Sequence, residues 1–165
     1  NRQLIATRIL QQVRADGQNV LDVAHNFVEA RSVNGRQGWL HRKGATPDDR
    51  GLVIIPGSRG DHSWLVHPVV SEETLNSLAH GAGRKWMRTD CKGRLSGKYS
   101  AAQLARTELG SRVICRDRQL IYEEAPQAYK SVESVFNCLV QAGLVEPIAR
   151  LRPLLTLKTS GGKGA

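Results

Sequence analysis

The chain has 165 residues, 40% of them hydrophobic and 5% aromatic, enough for a folded unit with a real core. Its 24 Lys and Arg against 15 Asp and Glu leave a net charge of +9, which suits a polyanionic partner such as nucleic acid, a merely soluble basic surface being the other reading. Cys91, Cys115 and Cys138 are odd in number and far apart, which argues against a disulfide framework and fits a reducing cytoplasm. No run of about 18 apolar residues and no secretory leader is visible, so a membrane partner is not expected.

The chain opens on NRQLIATRILQQVRADG, where Ile5, Ile9, Leu10 and Val13 have the period of an amphipathic helix ending near Gly17. A start within a helical pattern and without Met suggests a fragment of something longer; processing of an ordinary N-terminus is the competing explanation. VLDVAHNFVEA, residues 20–30, reads as a strand, and Asn34-Gly35 signals a type I′ hairpin whose return strand begins at Trp39 and Leu40. Leu52 to Pro56 is a short apolar run suited to a buried strand. After a Gly-Ser-Arg-Gly turn, SWLV predicts another strand, ended by Pro68.

The second half reads as more helical. Ser100 predicts a cap for a helix through AAQLARTEL with Gly110 at its end, and Val113 to Cys115 predicts a strand. Ser131 predicts a second cap, followed by the stripe Val132, Val135, Phe136, Leu139 and Val140, with Cys138 expected in the core and Gly143 as the stop. Ile148 to Leu157 alternates apolar and basic residues around Pro153. Residues 1–158 are expected to form one α+β unit, and residues 159–165 a flexible tail.

The chemistry is less obvious. Five histidines occur, at 25, 41, 62, 67 and 80, with no zinc spacing or Walker loop among them. His80-Gly81-Ala82-Gly83-Arg84 puts an imidazole against a glycine turn. Such a turn lets backbone N–H groups approach phosphate or ribose, an arginine balances charge, and a neutral imidazole is able to attack phosphorus. A structural turn with a surface histidine is the alternative. Pro56-Gly57-Ser58-Arg59-Gly60 is a second such turn, and its Ser58 hydroxyl is able to hold another ligand oxygen. His25 is as compatible with a hydrogen-bonded core position as with a metal, and His41-Arg42-Lys43 with a solvated surface as with RNA phosphates.

Taken in order, DVAHN, LHRKGAT, IIPGSRG with its later serine, HGAGR, EEAPQAYK and ARLRPLLTLK resemble the C-terminal part of the RtcB-type RNA ligases, from about Val20 to Lys158. In that family the segments read DVSHN, HRKGATR, PGSMGTxSY, HGAGRxxSR, EEAPEAYK and LRPxxxxKG. The resemblance implies the C-terminal portion of an RtcB-like α+β fold. It also implies an enzyme that uses GTP and Mn²⁺ to join RNA 3′-phosphate or 2′,3′-cyclic phosphate ends to 5′-hydroxyl ends through a guanylylated histidine. On that resemblance His80 is the nucleophile and Gly81, Ala82 and Gly83 lie against the nucleotide. His25 is the metal ligand and Asn26 lies beside the nucleotide. Pro56, Gly57, Ser58 and Arg59 line the guanylate, and Ser63, Tyr129 and Lys158 meet the base. Arg42, Lys43 and Arg84 face RNA or phosphate.

The departures are Arg59 where the family has methionine, Trp64 for tyrosine and Met87 for serine, a pattern similar to the divergent branch associated with a peptide-release-factor homologue. The family's D-x-x-C and G-N-H-x-x-E metal motifs do not occur here, so the expected partner is the missing N-terminal half, supplied in cis or in trans. A non-catalytic remnant that binds RNA or a partner subunit is the second hypothesis.

Overall fold

The computed structural model describes residues 1–33 and 35–159; Asn34 and the tail from residue 160 lie outside the described residues. The first helix, α1 (Arg2–Val13), ends where Arg14 turns left-handed at φ 52°. It forms where the period predicts it, yet none of its residues is buried and Leu4, Ile5, Ile9 and Val13 all face solvent.

Strands β1 (Asn26–Val33) and β2 (Arg36–Lys43) form an antiparallel hairpin. Val33 pairs with Arg36, so two residues connect the strands, and Gly35 stands at φ 75°. Glycine suits the positive φ that such a short connection requires; the type I′ turn expected at Asn34-Gly35 lies partly outside the described residues. The strand expected from Val20 begins only at Asn26. Residues 18–24 have no strand partner, because β2 ends opposite Asn26 and the chain turns away at Gly44, whose N–H bonds to the His25 carbonyl at 3.0 Å.

Two short pairs follow. β3 (Ala45–Pro47) pairs with β6 (Ser77–Ala79), and β4 (Val53–Pro56) pairs with β5 (Ser63–Pro68), which pairs in turn with β8 (Val145–Leu151). Val53, Ile55 and Val66 meet Leu78, Ala82, Val145 and the helix α5 (Val132–Gln141) in one core, where Trp64 stacks on Phe136 with centroids 3.9 Å apart. Ser131 caps α5 by accepting from the Ser134 N–H, as its position predicts. Cys138 is exposed rather than core. It lies two residues after the buried Phe136, and about 200° around a helix is the opposite face.

A second core is helical: α2 (Arg88–Leu95), α3 (Ala101–Leu104) and α4 (Arg118–Glu123) enclose Leu95, Leu104, Ile121, Tyr122 and Ala125. Ser100 does cap α3, in a reciprocal pair with Gln103, but the helix stops at Leu104 instead of running to Leu109. Arg106 bridges back to Arg112, and the Thr107 N–H bonds to the Ser111 carbonyl at 3.0 Å, so Gly110 closes a tight turn rather than a helix. β7 (Arg112–Cys115) then pairs in parallel with β9 (Leu155–Lys158), setting Cys115 beside Lys158. The mixture of helices and small sheets is α+β, and no described helix is long and apolar enough to cross a membrane.

Candidate active site

The HGAGR segment runs between the two cores. Behind it, Leu78 and Ala82 are buried in the sheet core. The Ala82 N–H bonds to the Pro56 carbonyl at 3.2 Å, and a Cβ on Gly81 would meet that same oxygen at 3.0 Å. Glycine at 81 thus lets the backbone lie against the end of β4 without crowding that oxygen. Ahead of it, the Lys130 N–H bonds to the Gly83 carbonyl at 3.0 Å, and Arg84 bridges to Tyr129.

Its first residue, His80, stacks on His25 with ring centroids 4.1 Å apart and planes 10° from parallel. Gly44, at φ 69°, fixes both: its N–H bonds to the His25 carbonyl and to Asn26 Oδ1 at 2.9 Å, and its carbonyl accepts from the His80 N–H at 3.3 Å. Burial, and then the neighbouring His25, push the His80 imidazole below the usual histidine range. A neutral ring keeps a lone pair for attack.

The Pro56 turn is self-contained. The Ser58 hydroxyl donates to Asp61 Oδ2 at 2.7 Å, and its N–H points at the same oxygen at 3.3 Å. The hydroxyl expected to hold a ligand oxygen is thus engaged by Asp61, a residue the sequence reading passed over. Ser63 starts β5 directly opposite Pro56, and Pro56 in turn lies against Gly81. Arg59 does not join them. Its side chain runs into the helical core, where Nη2 donates to the Leu104 and Ile121 carbonyls at 3.1 and 2.8 Å, and Nε and Nη1 have no partner. That burial lowers its pKa.

Glu124 is the hub of the far side, and the sequence reading missed it. Its Oε2 accepts from the Tyr129 hydroxyl at 2.5 Å and lies 4.0 Å from Lys158 Nζ, and its Oε1 accepts from Arg88 Nε at 3.2 Å and lies 3.5 Å from Arg84 Nη1. Burial works to raise the Glu124 pKa, but the Tyr129 hydrogen bond and the charges of Lys158, Arg88 and Arg84 outweigh it and hold the carboxyl below its ordinary value. Tyr129 is pushed up by burial and by Glu124. Arg84 also donates to the Tyr129 hydroxyl at 2.9 Å and to the Glu123 carbonyl at 2.6 Å, so its guanidinium is already engaged within the protein. One signal was available: EEAPQAYK is the one matched segment with two adjacent carboxylates.

Arg42 is a correction. Its side chain is 1% exposed, paired with Glu29, and donates to Ser77 Oγ at 2.9 Å and the Asn76 carbonyl at 3.0 Å. Strand alternation turns it inward, away from any RNA phosphate, and leaves Lys43 exposed next to Asn26. Among the described residues no three His, Cys, Asp or Glu side chains lie close enough to hold a metal ion. The donors this chain supplies around His25 therefore do not fit a Mn²⁺ site by themselves, since Mn²⁺ is weakly bound and needs several N or O ligands.

A family model described as tRNA-splicing ligase RtcB matches residues 1–159. The RNA-splicing ligase RtcB2 of an Escherichia coli strain is 77% identical over 163 residues, which are 99% of this chain and 43% of that protein. The RNA-splicing ligase RtcB of Mycobacterium tuberculosis is 35% identical over 181 residues, covering 96% of this chain and 41% of that protein. The tRNA-splicing ligase RtcB of Methanocaldococcus jannaschii is 37% identical over 159 residues, covering 84% of this chain and 16% of that protein. The chain thus spans less than half the length of these relatives. The match to the family model runs from the first residue to the end of β9 and takes in the stacked histidines, the Pro56 turn and the Glu124 cluster alike: the chain belongs to the tRNA-splicing ligase RtcB family.

Proposed function

We propose that this chain is the nucleophile-bearing part of an RNA ligase that joins 3′-phosphate or 2′,3′-cyclic phosphate ends to 5′-hydroxyl ends, with GTP as co-substrate. A ring nitrogen of His80 attacks the α-phosphorus of GTP. An N–P bond forms, the α–β anhydride bond breaks and pyrophosphate leaves. A 2′,3′-cyclic end is first opened by water, which breaks the O2′–P bond and leaves a 3′-phosphate. An oxygen of the RNA 3′-phosphate then takes the GMP as the His80 N–P bond breaks, and the 5′-hydroxyl displaces GMP to make the phosphodiester. Asn26, Pro56, Gly57, Gly81 and Gly83 line the nucleotide, with Ala82 buried behind them in the sheet core, while Ser63, Tyr129 and Lys158 meet its base. Lys158 suits guanine, whose O6 and N7 are both acceptors.

The observation that carries this reading is the His25–His80 stack at the mouth of the glycine turn, with the His80 pKa depressed. No metal-dependent step is assigned to the residues of this chain, which hold at most one expected Mn²⁺ ligand, His25. The further ligands belong, in this reading, to sequence that the longer relatives carry. The decisive experiment replaces the matching 43% of the RtcB2 relative with this chain, adds GTP labelled at the α-phosphorus with Mn²⁺, and maps the adduct. Label on His80, lost in His80→Ala, supports the reading; label on another residue overturns it.

A further inference from the structure

We infer that the outward face of the β1–β2 hairpin is a track for single-stranded RNA that leads to the His25–His80 pair. The hairpin has two chemically different faces. Alternation sends Phe27, Glu29 and Arg31 inward with Leu40 and Arg42. There the charges neutralise one another, Glu29 with Arg42 and Arg50 and Arg31 with Asp49. The outward face carries Asn26, Val28, Ala30 and Ser32 on β1, opposite Lys43, His41, Trp39 and Gln37 on β2. No carboxylate stands on it. An ammonium, an imidazole and an indole stand in one row, each about 7 Å from the next along the strand.

Trp39 is 72% exposed and is the one exposed Trp, Tyr or Phe among the described residues, so its ring face is open to stacking. Its neighbours across the hairpin are smaller, so the indole projects above them. The neighbours along the strand, Gln37 and His41, are polar, which does not suit an apolar protein interface. A flat aromatic flanked by cations on a chain of net charge +9 fits an unpaired nucleic-acid strand, in which bases stack and phosphates meet the cations. The row also has a destination. Lys43 pairs with Asn26 at the end of the hairpin, and the next residue, Gly44, is hydrogen-bonded to His25, Asn26 and His80. The direction of the track rests on the RNA-ligase reading; the binding itself does not.

The test is a titration of the full 165-residue chain with fluorescent single-stranded RNA, one oligonucleotide ending in 3′-phosphate and one beginning with 5′-hydroxyl, at two salt concentrations. Trp39→Ala should weaken binding roughly tenfold while Trp39→Phe keeps it, and Lys43→Ala should lower the salt slope by about one. The arm that loses more on Trp39→Ala identifies which end follows the row. Wild-type affinity in Trp39→Ala overturns the inference. So does an equal loss against heparin, which has no bases, or a change in self-association with RNA affinity intact. Labelling of His80 by GTP is scored separately on the unsubstituted protein, so loss of the ligase reading and loss of the track remain distinct results.

Discussion

The Tyr129 hydroxyl donates to Glu124 Oε2 at 2.5 Å, and Lys158, Arg84 and Arg88 gather round the same carboxylate. Because the Glu124 pKa is depressed in the fold, its contribution is present above the unfolded value of about 4.3 and lost as pH falls through the folded value. Glu124→Gln should therefore cost about 2 kcal/mol at pH 7 and progressively less below pH 4. Melting curves from pH 3 to 7 would show it, and a gap between variant and wild type that ignores pH would contradict the role.

The glycines differ in what they tolerate. A Cβ on Gly57 would overlap the His62 carbonyl and come within 2.6 Å of Asp61 Cβ, whereas one on Gly38 meets nothing within 4 Å. Gly57→Ala should destabilise by about 2 kcal/mol or more, and Gly38→Ala should stay within about 0.5 kcal/mol of wild type. Chemical denaturation of the two variants, side by side, checks the contrast.

Arg59 stands where the family pattern has methionine, and two of its buried nitrogens lack partners. Replacing a poorly satisfied buried charge by an apolar group of similar length is often neutral or favourable. Arg59→Met should range from unchanged to about 2 kcal/mol more stable. Arg59→Lys, which keeps the charge without the planar fork that reaches both carbonyls, should be less stable by about 1–3 kcal/mol. A urea midpoint for Arg59→Met below that of Arg59→Lys would reverse this account.

In the RtcB2 chimaera, Lys158→Ala should lower the preference for GTP over ATP in His80 labelling by about 1–3 kcal/mol. An unchanged ratio would remove Lys158 from the base.

The 165-residue chain by itself, supplied with GTP, Mn²⁺ and RNA bearing 3′-phosphate and 5′-hydroxyl ends, should give no joined product, because His25 is its one expected metal ligand. Robust joining on a gel would mean that the metal is held by residues assigned no such role here, with His41, His62 and His67 the first to substitute.

Local signals were legible where the cause is local. The two-residue connection with Gly35 agrees with the hairpin expected there, and Ser131 set the start of α5, because a short turn and a cap are chosen by a few neighbouring side chains. α2 was not legible. Its sequence RTDCKGRL is polar and contains a glycine, and only Cys91 and Leu95 turn inward. The parallel pairing of β7 with β9 joins segments separated by α4, α5 and β8, and no periodicity announces such a partner. At the site, motif order brought His80, His25 and Pro56 into view. Arg42 was misread because a His-Arg-Lys run looks like a single basic surface, whereas a strand sends its middle member to the opposite face.

The placement of the HGAGR segment at the seam between the cores has a kinetic consequence. Ala82 belongs to the sheet core, while Arg84 and Lys85 are tied by hydrogen bonds to Glu123 and Ala128 on the helical side. Sub-global opening releases contiguous units one at a time. A fluctuation that opens only the helical unit would detach the Arg84 end of the segment and leave the stacked histidines anchored to the strands. The Lys85 and Lys130 amides should then exchange with solvent deuterium in step with the α2–α4 unit, and the Ala82 amide more slowly, with β4. Substitutions deep among α2, α3 and α4, such as Leu104→Ala, would erode the nucleotide capture proposed for this segment through the fraction of time the seam is open, without altering any residue proposed to touch the ligand.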